Sequence, residues 1–69
     1  MERAELKKII DEALNTDSVI DGTTDAHRVN VYTQVWYIDF SQIDEIRSRG
    51  VELTRVSVEG YHLTLTARI

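Results

Sequence analysis

The sequence contains no cysteine, so no disulfide framework, thiolate metal site or cysteine nucleophile is available to it. Its only glycines are Gly22, Gly50 and Gly60, too dispersed to form a phosphate-cradling loop. There is no Gly-x-Ser-x-Gly elbow and no pair of catalytic carboxylates on one element. No stretch approaches the roughly 18 apolar residues of a membrane-crossing helix. Residues 1–15 are charged and amphipathic, unlike a secretory signal. These absences lead to the expectation of a non-enzymatic, soluble, cytoplasmic protein with no catalytic residue, metal ligand, cofactor or membrane partner. Lysine is confined to Lys7 and Lys8, and acidic residues outnumber basic ones 12 to 8, for a net charge of −4. That balance disfavours attraction to phosphate backbones or anionic lipid.

A chain of 69 residues predicts one small domain. At this size only about 60% of the unfolded surface is buried, which makes stability marginal and self-association an accessible source of further burial. A deep pocket of a few hundred Å³ would be difficult to enclose.

Residues 2–14 place Leu6, Ile9, Ile10, Ala13 and Leu14 on one helical stripe, with Glu2, Glu5, Lys8, Asp11 and Glu12 turned outward. Asn15 suits the left-handed residue that ends such a helix. Residues 15–27 carry turn chemistry around Val19 and Ile20, which form either a short edge strand within 18–22 or a pinned loop. Residues 28–38 predict a long strand. A second helix follows to about Ser48, capped by Asp39 with Gln42 reaching back or, in a second frame, by Ser41. In the first frame Ile38 staples to Ile43. Gly50 supplies the residue after the helix, with Val51 folding back onto it.

Residues 51–69 predict a hairpin turning at Glu59 and Gly60. An extra residue at Thr54 or Arg55, a β-bulge, keeps Val51, Leu53, Val56, Val58, Tyr61, Leu63, Leu65, Ala67 and Ile69 on one inner face. The expected fold is a two-layer α+β sandwich, with two helices on one face of a three- to four-stranded, mostly antiparallel sheet. The strand–helix–strand crossover is right-handed by rule, with the last strand between the two it links. The order of elements resembles a circular permutation of the ferredoxin-like arrangement. The resemblance is topological, covers most of the chain and carries no functional motif.

The strand at 28–38 has side chains worth burying on both faces, yet the helices can cover only one. The remaining face would carry Asn30, Tyr32, Gln34 and Trp36 beside His62, Thr64, Thr66 and Arg68 of the last strand. Aromatic bodies flanked by short polar side chains suit a recognition surface. They also suit an ordinary solvent-facing sheet, where such residues merely pack across strands. The first reading predicts a protein-interaction module, most simply one that packs sheet on sheet with its own copy. Its competitor is a single-stranded nucleic-acid binder stacking bases on Tyr32 and Trp36. Few arginines lie nearby and the aromatic-and-glycine signature of RNA-binding sheets is missing, both of which weigh against the competitor. A reversed strand, with Trp36 under the helices, would remove the patch altogether.

Asp21, Thr23, Asp25 and His27 alternate as loop metal ligands can. However, Gly22 is misplaced for a calcium loop, and Tyr32 stands where its closing glutamate belongs. Turn and capping roles account for these four residues. His27 and His62 have no shared-ion spacing. Asp39 and Asp44 fit helix capping, Glu52 and Glu59 fit protection of an exposed edge strand, and Lys7 and Lys8 fit a solvated helix face.

Overall fold

The structure is a computed structural model describing residues 1–21 and 27–69. Its elements are α1 (Arg3–Leu14), β1 (Val19–Ile20), β2 (Arg28–Gln34), α2 (Phe40–Ser48), β3 (Glu52–Glu59) and β4 (His62–Arg68). All pairings in the four-stranded sheet are antiparallel, in the order β1-β2-β4-β3. This is the α+β arrangement that the apolar periodicities predict.

The first helix buries Leu6, Ile9, Ile10 and Leu14 and closes on Asn15 at φ 51°. Asp39 caps α2: it accepts from the Gln42 N–H at 3.1 Å while the Gln42 side chain accepts from the Asp39 N–H. The first capping frame is therefore the one used, with Ser41 also donating to Asp39. Gly50 takes φ 91° past the helix end, and Val51 turns inward. Val19 and Ile20 do form a strand, set against Tyr32 and Val31, and the Asp21 N–H extends the pairing to Asn30 O. The strand is shorter than the 18–22 window. Of the four candidate loop ligands, Thr23 and Asp25 lie outside the described residues, as does Gly22.

Three expectations need correcting. First, β2 ends at Gln34 rather than residue 38. Its ladder pairs Gln34 with His62, and the Val35 N–H donates once more to Tyr61 O. Continuing that register, residues 36–38 would need partners at 58–60, but those belong to the hairpin's edge strand and turn. The strand therefore stops because its neighbour turns away, whatever the β-propensity of Trp36, Tyr37 and Ile38.

Second, the hairpin turns at Gly60 and Tyr61, with Glu59 opposite His62. Gly60 has φ 62° and Tyr61 does not have a positive φ, the pattern of a type II′ loop with glycine leading. A loop at Glu59 and Gly60 would instead have put the glycine second. The revised register sets Val58 opposite Leu63 and Val56 opposite Leu65, and the bulge falls between Leu53 and Arg55 as expected.

Third, the inner face is only partly covered. Val51, Leu63, Leu65 and Ala67 are buried, but Val56 and Val58 on the same side are exposed, as is Tyr61 in the turn. Position in the sheet explains this. The residues of β4 directly opposite Val56 and Val58, Leu65 and Leu63, are buried, so the helical layer covers the inner strands at that level. It leaves β3, the edge strand, uncovered along its side.

The core is aliphatic, built from α1, α2, β2, Val51 and β4. Asp11, assigned outward from its helical position, is mostly covered instead. It accepts from the Ser18 N–H at 2.8 Å and from Ser18 Oγ at 2.6 Å, fastening β1's approach to the helix. Lys7, expected to be a solvated helix residue, pairs with both Asp11 and Asp17.

Candidate interaction surface

The register of β2 against β4 fixes which side chains share the face turned from the helices. Val29, Val31 and Thr33 stand opposite Ala67, Leu65 and Leu63 on the helical side. Alternation then places Asn30 with Thr66, Tyr32 with Thr64 and Gln34 with His62 on the other side, together with Arg28 and Arg68. The structure thus brings Asn30, Tyr32, Gln34, His62, Thr64, Thr66 and Arg68 onto one surface, in the parity read from the sequence.

This surface is organised by its own bonds. Thr66 Oγ1 donates to Asn30 Oδ1 at 2.8 Å, joining the two central strands side chain to side chain. Arg68 reaches Glu52 of β3 at 3.4 Å. The Tyr32 hydroxyl stands 3.5 Å from Asp21 Oδ2, close to the limit of a hydrogen bond, and the ring remains exposed.

Trp36 lies past the end of β2, in the bend that follows it. Its ring is 87% exposed, far from burial beneath α1 or α2. It meets Tyr61 of the hairpin turn edge to face, with centroids 5.2 Å apart and planes at 67°. Gln34, Val35, Trp36, Tyr61 and His62 line an open hollow of about 360 Å³ at this end of the sheet. That is more concavity than the chain's length led one to expect, gained by staying open rather than enclosed.

Reading β2 as a strand through residue 38 hid three contributors. Tyr61 had been placed on the inner face, while Tyr37 and Phe40 received no role; they are 60, 75 and 88% exposed. Including Tyr32, the chain's one Trp, three Tyr and one Phe all lie among its exposed residues. The signal that could have located Tyr61 is the turn chemistry of Gly60, which puts the tyrosine in the loop instead of on the inner face.

Charge on this face is mixed: Arg28, Arg55 and Arg68 share it with Glu52, which engages Arg68, and with Glu59 opposite His62 beside the hollow. Among the described residues no group of His, Asp and Glu is arranged to hold a metal ion, and no helix is long and apolar enough to cross a membrane. Among the described residues, Asp11 of α1 and Asp39 at the start of α2 are held below the usual aspartate range. For Asp11, burial works to raise the pKa, but hydrogen bonds from Lys7 and Ser18 outweigh it. Asp39 is lowered by the Ser41 hydroxyl and then by the Gln42 N–H. Both shifts are accounted for by these local contacts.

No family model, curated protein or solved structure matches the chain. The permuted ferredoxin-like order therefore remains a likeness of topology, and function has to be argued from the surface itself.

Proposed function

We propose that the chain is a small, non-enzymatic protein-interaction module that grips its partner with the open face of the sheet and its aromatic end. The simplest partner is a second copy packed sheet on sheet. The observation carrying this reading is the distribution of aromatics: the core is entirely aliphatic while Tyr32, Trp36, Tyr37, Phe40 and Tyr61 are all exposed. Aromatic side chains ordinarily supply large buried areas to cores and interfaces alike. A chain short of core material that leaves every one of them outside is arranged for burial against something else.

In this mechanism Trp36 and Tyr61 provide the desolvated contact, already braced against each other. Each ring that becomes covered contributes on the order of 4 kcal/mol before the costs of association. Gln34, His62, Thr64, Thr66 and Arg68 orient the partner through hydrogen bonds around that anchor. The chain's acidic balance favours a protein partner over single-stranded nucleic acid.

The test is solution mass against concentration, read together with Trp36 fluorescence at low and high salt. Association with a blue-shifted emission that persists at high salt is expected, and Trp36→Ala should weaken it by more than tenfold with little change in melting temperature. A variant that loses stability yet assembles as before would defeat the reading. Oligonucleotide binding that fades steeply with salt would replace it with the nucleic-acid alternative.

A further inference from the structure

The outermost strand, β3, presents a second surface, distinct from the aromatic face. Printed in the backbone is the direction of its hydrogen-bonding groups. The Val35 N–H donates to Tyr61 O and the Ile69 N–H to His27 O, both at 2.9 Å, so the odd-numbered residues of β4 face β2. Their neighbours His62, Thr64 and Thr66 face β3, where the register sets them against Glu59, Ser57 and Arg55. Alternation then turns the N–H and C=O groups of Val56 and Val58 outward, along the edge of the sheet. The bulge between Leu53 and Arg55 limits the regular edge at one end and the turn at Gly60 limits it at the other. What remains is residues 55–59, with Ser57 at the midpoint.

We infer that β3 pairs antiparallel with β3 of a second copy, about a two-fold axis through Ser57. That register sets Val56 opposite Val58 of the second copy, and their outward backbone groups exchange hydrogen bonds in both directions. The valines are 39 and 52% exposed in the single chain and cover each other on the helical side. On the other side Arg55 falls opposite Glu59 of the second copy, and Glu59 opposite its Arg55. Neither residue enters an ion pair among the described residues, whereas Glu52 and Arg68 on the same face are paired. The neighbouring two-fold registers lack this match. Centring on Arg55 or Glu59 opposes like charges, and centring on Val56 or Val58 leaves Arg55 opposite Ser57 or Tyr61. Residues that would repel a foreign strand thus become complementary when the strand meets itself, which commits the edge to a second copy.

Because the natural chain has no cysteine, Ser57→Cys introduces a single thiol at the proposed axis. Ser57 would occupy a non-hydrogen-bonded pair, with Cα atoms about 4.5 Å apart and within disulfide range. In a glutathione redox buffer S57C should form linked dimers on the order of tenfold faster than S48C, whose thiol sits on the exposed end of α2. Equal rates would overturn the pairing. Charge reversal provides a second readout by sedimentation. Arg55→Glu and Glu59→Arg should each weaken the edge contact by about tenfold, and combining them should restore it to within about threefold. Single variants without effect, or a combination that fails to recover, would overturn the register. Adding Trp36→Ala to S57C should leave the crosslinking rate unchanged, which separates this edge from the aromatic face.

Discussion

Asp11 shows how a single side chain can hold two elements together. Its position on the helical wheel is outward, yet its carboxylate accepts from both the backbone and the hydroxyl of Ser18 and from Lys7. Replacing it by alanine should cost about 1–3 kcal/mol by orphaning the buried Ser18 donors, measured by chemical denaturation. The same contacts set a pH dependence. Hydrogen bonding holds the folded-state pKa below 3.8, the unperturbed value. The stabilisation is therefore fully present above that value and is lost as pH falls through the lower, folded one. Acid unfolding followed by circular dichroism should begin below about pH 4, and Asp11→Asn should flatten that limb. An unchanged acid profile in the variant would show that Asp11 is not the group responsible.

At the scale of elements, Gly60 determines which residues of the hairpin face one another. Its φ of 62° suits glycine, and an added Cβ would meet nothing within 4 Å, so the penalty for a side chain there is conformational alone. Gly60→Ala should cost about 1–2 kcal/mol without displacing any neighbour, seen as a lower melting temperature with an unchanged spectrum. A companion comparison tests whether the helical layer covers the inner strands and leaves the edge strand β3 bare. Leu65 and Val58 lie on the same side of the sheet, but Leu65 is fully buried and Val58 is half exposed. Leu65→Ala should cost about 2–5 kcal/mol, while Val58→Thr in dilute solution should stay within about 0.5 kcal/mol. Comparable losses at both sites would mean that β3 is covered as well.

These elements also mark how far the sequence could be read. The stripe from Leu6 to Leu14, the alternation of Val29 and Val31 with Asn30 and Tyr32, the bulge and the strand order all follow from local periodicity, which the chain carries in its own residues. The end of β2 does not. Val35, Trp36, Tyr37 and Ile38 look as strand-like as the residues before them, and only the turning of a neighbouring strand, itself set by Gly60, ends the ladder. The same holds for the candidate surface. Its parity was legible, but the exposure of Val56 and Val58 depends on β3 lying at the edge of the sheet, and that of Tyr61 on its place in the turn. Asp11's inward role depends on Ser18, seven residues on, which no helical pattern contains.

For the whole molecule the two proposed contacts combine in a definite way. Pairing β3 with its copy joins two sheets edge to edge about an axis perpendicular to them. Packing the aromatic faces stacks two sheets about an axis lying in their plane. Axes of these two kinds can meet at right angles and close a four-chain assembly, with both proposed surfaces used inside it. At high concentration the sedimenting mass should approach four times the 8.0 kDa chain. Trp36→Ala should reduce it to two chains still linked through S57C on oxidation, and Arg55→Glu to two chains that link no faster than the S48C control. Combining Trp36→Ala with Arg55→Glu should return the single 8.0 kDa chain, folded and with a melting temperature that no longer depends on concentration. Either substitution alone reducing the mass to one chain would mean that the two surfaces form a single interface, because independent contacts must fail one at a time.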